Sequence, residues 1–197
     1  MMLKDASLLH LKSFLASPIK YMATRWRFSQ RLGVKRWASA ASLQDDWDAR
    51  TALMASLVSP GMAVLEFGAG KEHLRLCLPR DCEYQPCDIV ARSPATLVCD
   101  LNHAFPTLDK KWDVILFSGV LEYIHDVPHV LSKVRAHGDS CILSYAVTDH
   151  LECMTTRMRS GWVNHFSSAA IETMIRDAQF VIHETRTWNG QRIYSLR

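Results

Sequence analysis

Two glycines follow within four positions of an acidic residue near the end of an apolar run, in the segment VLEFGAG. Glu66 is the acidic residue, and Gly68 and Gly70 follow it. Glycine suits a strand that turns beneath a bound nucleoside, because a Cβ would block the φ angles of the turn or the approach of the backbone to the ligand. A carboxylate beside this turn favours a cationic or hydroxyl-bearing ligand over a phosphate dianion, since like charges repel in a cleft of low dielectric constant.

Further polar residues stand at the ends of later apolar runs. Asp88 comes twenty positions after the first of the two glycines, and at this spacing its carboxylate can accept hydrogen bonds from both hydroxyls of a ribose. Asp100 and Leu101 follow the next run and suit an adenine amino group and ring, respectively. Ser118 and Gly119 follow a fourth run, WDVILF. Because ligands of open α/β sheets bind beyond the carboxyl ends of the strands, we expect these residues to share one edge.

Strands alternate with helices along the part of the chain that would position these residues. Asp126 and Ser167 are typical helix N-caps, and Asn189-Gly190 predicts a tight turn between the last two strands. The alternation predicts an α/β fold with a mostly parallel sheet, helices on both faces and a final antiparallel hairpin. The predicted strands are residues 62–67, 83–87, 96–99, 112–117, 141–147, 180–185 and 192–196.

Residues 1–41 predict a helical N-terminal cap, and residues 42–197 predict one α/β domain. Residues 1–40 carry eight Lys or Arg against the single acid Asp5, whereas the remainder carries fifteen bases and nineteen acids. A solvated cap over the site fits this pattern, and an organelle transit peptide, a nucleic-acid arm or a peripheral membrane helix stays open. Ser42 and Asp45 predict a capping box for the first helix of the domain.

Composition narrows the class of protein. The chain is 48% hydrophobic and 22% charged, which is typical of a folded enzyme, and no apolar run reaches the length of a transmembrane helix. Its six cysteines form no C-x-x-C pair, so we expect neither disulfides nor a metal site, and we expect a reducing, cytoplasmic location. Oligomeric state cannot be read from the sequence.

These segments together resemble a class I S-adenosylmethionine-dependent methyltransferase. VLEFGAG is similar to the first motif of that family, CDIV to its ribose-binding strand end, CDLN to its adenine-binding strand end, and WDVILFSGVLEYIHD to its fourth-strand motif. NHFSSAAIETMIRDAQFVI resembles the late helix and strand, so the resemblance covers residues 42–197. It implies a Rossmann-like sheet of seven strands with an antiparallel last strand, and S-adenosylmethionine as cofactor.

The resemblance also implies cofactor-binding roles for nine residues. They border the methionine part (Glu66, Gly68, Gly70), the ribose (Asp88, Ile89), the adenine (Asp100, Leu101) and the methyl-bearing side (Ser118, Gly119). Three departures stand out: Glu72 replaces the third glycine of the first motif, residues 89–95 are too few for a full connecting helix, and Tyr123 occupies a position where many relatives have histidine.

The expected reaction moves a methyl group to an oxygen or nitrogen nucleophile of a small molecule or glycan intermediate. His125 and His150 are candidate general bases, since each follows a predicted strand, and residues 148–166 are a candidate lid over the acceptor. A nucleic-acid acceptor is not expected, because the basic residues form no broad patch. A non-catalytic, cofactor-binding scaffold and an NAD-dependent oxidoreductase are the alternative readings.

Overall fold

A computed structural model describes residues 34–39, 42–150 and 154–197. The expected helices before Val34 and residues 151–153 of the expected lid lie outside these residues, so the division between cap and domain stays a prediction. The described helices are α1 (Val34–Ala38), α2 (Trp47–Ala55), α3 (Leu74–Cys77), α4 (Val127–His137), α5 (Met154–Arg159) and α6 (Ser168–Asp177), with 3-10 turns at Leu121–Tyr123 and Thr148–His150. The strands are β1 (Ala63–Phe67), β2 (Glu83–Asp88), β3 (Leu97–Val98), β4 (Trp112–Phe117), β5 (Gly138–Ala146), β6 (Ile182–Trp188) and β7 (Gln191–Leu196).

Seven strands form one sheet in the order β3-β2-β1-β4-β5-β7-β6, and β7 alone runs against the others. The predicted Rossmann-like sheet with an antiparallel last strand is therefore confirmed. The predicted hairpin is confirmed as well: Trp188 pairs with Gln191, and the two residues between them have positive φ angles of 40° and 75°. Asn-Gly supplies that conformation at low cost.

The central strands are buried on both faces because most of their residues are apolar. Alternate residues of β1, β4 and β5 pack against different helices, since side chains along a strand point to opposite faces. One core lies under α4 and α6 and includes Leu65, Phe67, Ile115, Phe117, Leu143, Ile171 and Ile175. The other lies under α2 and α3 and includes Met54, Ala55, Val64, Leu74, Val114, Leu116 and Ile142.

Two of the three predicted helix starts are confirmed. Asp126 accepts a hydrogen bond from the amide of His129 at 3.0 Å, and Ser167 caps α6 in the same way. The capping box is wrong: Ser42 donates instead to the carbonyl of Arg36, and α2 starts only at Trp47. The earlier segment is thereby tied to α1 and is not part of the helix.

In the link that follows the glycine turn, α3 begins at Leu74, and Glu72 has a positive φ of 56°. The conformation suited to glycine is thus kept although the residue is not glycine. Its carboxylate accepts hydrogen bonds from the hydroxyls of Ser93 and Thr96, at 2.6 and 3.0 Å. As predicted, no helix connects β2 to β3.

The described part of the N-terminal cap lies across the carboxyl edge of the sheet. The guanidinium of Arg92, in the β2–β3 link, donates to the carbonyls of Trp37 and Ala38 at the end of α1. Lys71 in the glycine turn pairs with Asp45 just before α2. Within the described ranges, no helix has the length and apolar character needed to cross a membrane, and the cysteines there form no disulfide.

Candidate active site

A cavity of about 370 Å³ opens at the carboxyl ends of β1, β2 and β4. This volume lies in the usual range for small-molecule sites. The structure brings all nine cofactor-binding residues expected from the sequence to its wall: Glu66, Gly68, Gly70, Asp88, Ile89, Asp100, Leu101, Ser118 and Gly119. Their convergence follows from the parallel topology, which collects the carboxyl ends of neighbouring strands at one edge.

Gly68 occupies a position that no other residue could take without displacement of its neighbours. Its φ is +75°, and a Cβ built on it would lie 2.1 Å from Cγ2 of Val120 in the loop after β4. The amides of Gly68 and Ala69 both donate to the carbonyl of Cys87, at 2.8 and 3.1 Å. The turn therefore joins the ends of β1 and β2 and packs directly against the loop after β4.

Asp88 points toward this turn. Its side chain is buried, one carboxylate oxygen accepts from the amide of Gly70 at 2.8 Å, and the other accepts from the amide of Val90 at 3.0 Å. Each oxygen has a further lone pair, so the carboxylate can still accept hydrogen bonds from a diol in the cavity.

Asp100 lies at the other side of the same wall, in the loop after β3. Its carboxylate accepts from the amide of Asn102 at 2.9 Å and lies 2.8 Å from Nδ1 of His103. Asn102 in turn bonds to the backbone of Tyr123 and of His125, at 2.9 Å each. These bonds join the loops after β3 and β4 around one end of the cavity.

Glu66 is the most deeply buried acid at the glycine turn, with 2% of its surface exposed. The hydroxyl of Tyr84 donates to it at 2.6 Å. Burial raises the pKa of this carboxyl to about 8. The hydrogen bond from Tyr84 and the positive charge of Arg50 lower the pKa and offset part of this rise. A cationic group in the cavity would restore its charge.

Arg50, which the sequence analysis did not single out, crosses the floor of the cavity. It is 5% exposed, and it donates to the carbonyl of Ser118 and to Oε1 of Gln191, both at 3.1 Å. Its guanidinium lies over the rings of Trp47 and Trp188, at 5.7 and 5.6 Å. No carboxylate of the described residues is within ion-pair distance, and burial lowers its pKa.

A signal for Arg50 was present in the sequence. Trp47, Arg50 and Met54 are spaced to share one face of the predicted helix, so a basic residue interrupts an apolar stripe. Met54 is buried in the core, whereas Trp47 lines the cavity.

Glu122 is a second residue that the sequence analysis did not assign. It lines the cavity, is 1% exposed, and accepts from the amide of Ala146 through Oε1 at 2.7 Å. Its Oε2 has no hydrogen-bond partner among the described residues, and burial raises its pKa. An acid inside the apolar run VLEYI was the available signal.

Aromatic side chains line a further part of the cavity wall. The ring of Trp37 meets that of Tyr123 edge to face at 5.3 Å and lies 6.4 Å from that of Trp47. Trp162, from the expected lid, donates its indole N–H to the hydroxyl of Tyr123 at 3.2 Å. These four residues, named here the aromatic wall, all line the cavity.

The two candidate bases lie in different places. His125 is exposed and lines the cavity, next to the adenine-side residues. His150 is exposed in the turn after β5, 3.7 Å from the position of a Cβ on Gly190 in the β6–β7 hairpin, and it is not among the cavity residues.

The sheet order, the glycine turn and the acids at successive strand ends define a class I methyltransferase fold and site. The family model of a methyltransferase domain matches residues 39–185, and the chain belongs to this family. The class predicted from the sequence is thereby confirmed. Comparison with curated protein sequences gives no significant match.

Solved structures with the same fold have low sequence identity to this chain. The mitomycin 7-O-methyltransferase MmcR has a TM-score of 0.64 and 13% identity, over 88% of this chain and 60% of its own. The Burkholderia thailandensis 1,6-didemethyltoxoflavin N1-methyltransferase, with S-adenosylhomocysteine bound, has a TM-score of 0.64 and 14% identity, over 91% and 89%. CalO1 of calicheamicin biosynthesis has a TM-score of 0.60 and 14% identity, over 79% and 55%. This chain therefore spans little more than half the length of two of these proteins.

The groups of the cavity fit S-adenosylmethionine. A carboxylate for a diol, a buried acid for a cation and a turn without side chains lie on one wall. Ser118 lines the cavity as well, and its hydroxyl is buried without a hydrogen-bond partner among the described residues.

Proposed function

We propose that this protein transfers a methyl group from S-adenosylmethionine to an oxygen or nitrogen of a small molecule or glycan intermediate, in the cavity at the carboxyl edge of its sheet. The observation that carries the proposal is the meeting of all nine expected cofactor residues at this one cavity. The cofactor supplies an electrophilic methyl group on a sulfonium, which is already a good leaving group.

The cofactor side of the proposal uses the residues of the glycine turn and the neighbouring strand ends. Asp88 would hold the ribose diol, because its fixed carboxylate retains free lone pairs. Asp100 and Leu101 would bind the adenine between the joined loops. Glu66 would bind the ammonium of the methionine part, since that cation stabilises the charged form of a buried acid.

The acceptor side of the proposal lies beyond Ser118 and Gly119, under the aromatic wall. The rings exclude water and leave the acceptor few orientations, and positioning alone can supply about 7 to 11 kcal/mol of a two-substrate barrier. A hydroxyl acceptor must also lose a proton. His125 is the expected base that lines the cavity, and it can pass that proton to solvent because it is exposed.

The proposal is tested with S-adenosylmethionine labelled in its methyl group, incubated with purified protein and a fractionated small-molecule extract. We expect label in a discrete small-molecule fraction. His125→Gln should slow transfer to a hydroxyl acceptor by about 10²- to 10⁴-fold, whereas His129→Gln, an exposed histidine on α4 outside the cavity, should not. Label in no fraction, from protein that binds the cofactor, would support a non-catalytic scaffold and contradict the proposal.

A further inference from the structure

We propose that the methyl acceptor is a planar aromatic compound with a carboxylate or similar anionic group, held by the aromatic wall and by Arg50. This inference rests on the proposed function and specifies the acceptor that it leaves general. The acceptor half of the cavity combines two features that select such a molecule: ring surfaces and a buried cation.

The aromatic wall is continuous. Each ring of the wall contacts the next, in the order Trp47, Trp37, Tyr123 and Trp162. The four residues come from four separate segments outside the sheet. All four residues are partly exposed, and all four line the cavity. Rings in tilted and edge-to-face arrangement present both faces and edges, which complement a further aromatic ring.

The cation is built into the cavity floor. Arg50 is held in place by Ser118 and Gln191, and these bonds use only two of the five N–H donors of a guanidinium. A side chain at position 119 would collide with the guanidinium of Arg50, since a Cβ on Gly119 would lie 2.5 Å from Nη1. The close contact fixes the guanidinium beside the turn that ends β4.

Two further guanidinium groups pack on rings of the wall: Arg36 over Trp37 at 4.9 Å, and Arg157 over Trp162 at 4.6 Å. The acids that line the cavity near Arg50 are Glu66 and Glu122, which are both buried, and Asp48, which pairs with His73 at 3.5 Å. An anionic acceptor is therefore favoured over a cationic one, because a buried guanidinium gains most from a charged partner.

Arg50 could serve the carboxylate of the cofactor instead of that of the acceptor, so the experiment separates the two. Binding is measured by calorimetry on protein saturated with S-adenosylhomocysteine. The probes are salicylate, its neutral amide salicylamide, and the saturated-ring acid hydroxycyclohexanecarboxylate. We expect salicylate to bind at least about tenfold more tightly than either of the others, because only salicylate has both a ring and a charge.

Variants assign the two features. Trp162→Leu should weaken salicylate binding about five- to tenfold and leave S-adenosylhomocysteine binding unchanged. Phe105→Leu removes a ring that packs on Phe67 outside the cavity, and it should change neither. Arg50→Gln should abolish the preference for salicylate over salicylamide, Arg50→Lys, which keeps the charge, should retain it, and Arg50→Met serves where the glutamine variant does not fold.

Three results would overturn the inference: equal binding of salicylamide or of the saturated acid, binding of none of the probes, or an Arg50→Gln variant that loses S-adenosylhomocysteine but keeps the preference for salicylate. Failure of the wild-type protein to bind S-adenosylhomocysteine is a different result, because it contradicts the proposed function itself.

Discussion

Glu66 and Asp88 end neighbouring strands, yet their environments differ. Asp88 accepts hydrogen bonds from two backbone amides, which stabilise a carboxylate. Glu66 has one tyrosine hydroxyl as partner and is almost completely buried, which disfavours its charged form. The two acids therefore suit different parts of a ligand: a diol for Asp88 and a cation for Glu66.

This difference predicts a pH dependence of cofactor binding. The pKa of Glu66 is raised to about 8, so the carboxyl is protonated below that pH in the free protein. Binding of the ligand ammonium favours the ionised form and releases a proton. Affinity for S-adenosylhomocysteine should therefore fall as the pH is lowered from 8 to 6, by at most about tenfold per pH unit.

Calorimetric titration across this pH range checks the prediction. Glu66→Gln should remove the slope, while Glu72→Gln, an acid of the same turn that lies outside the cavity, should keep it. Identical slopes in the wild-type protein and in Glu66→Gln would contradict a role for this carboxyl.

Residue-scale prediction from sequence worked where a residue follows directly from the strand pattern. Acids at strand ends could be placed because parallel strands share one edge. Arg50 and Glu122 were missed because each lies inside an apolar element, and burial there is decided by contacts distant in sequence, such as those of Arg50 with Ser118 and Gln191.

At the scale of elements, the passage from β1 into the glycine turn depends on close packing against the loop after β4. Gly61 and Gly68 have nearly the same positive φ, 76° and 75°, but only Gly68 has a neighbour within reach of a Cβ. Substitutions at these two glycines therefore distinguish the energetic cost of the backbone conformation from the cost of overlap with Val120.

We expect Gly61→Ala to lower the free energy of unfolding by roughly 1 to 2 kcal/mol, the cost of a left-handed backbone. Gly68→Ala should lower the free energy of unfolding by roughly 1 to 3 kcal/mol more, because the added methyl group overlaps Val120. Urea unfolding of both variants measures the difference. Gly68→Ala combined with Val120→Ala should recover part of the loss, and equal losses in the two single variants would contradict the packing explanation.

Element positions were predictable where local chemistry acts alone. The caps at Asp126 and Ser167 and the Asn189-Gly190 turn depend on neighbours within a few residues, and the structure has them as expected. The capping box at Ser42 failed because that hydroxyl bonds to Arg36, a contact with the preceding segment. Glu72 likewise keeps a glycine-like φ through bonds to the β2–β3 link.

At the scale of the whole molecule, the mostly parallel sheet and its final hairpin could be predicted because largely apolar runs and alternating helices leave few topologies. The aromatic wall could not, since Trp37, Trp47, Tyr123 and Trp162 come together only through the folding of separate segments. The aromatic wall is thus a tertiary property, whereas the position of the acids follows from the strand ends.

The central claim is that the cavity binds an adenosyl sulfonium, and equilibrium titration with S-adenosylhomocysteine and with NAD tests it most directly. Asp113→Asn is the matched control for Asp88→Asn, because Asp113 also bonds to a backbone amide but lies at the opposite edge of the sheet. We expect one equivalent of S-adenosylhomocysteine to bind, no measurable binding of NAD, and a loss of about ten- to hundredfold in affinity for Asp88→Asn alone. Binding of NAD in preference, or equal affinities in the two variants, would contradict the claim.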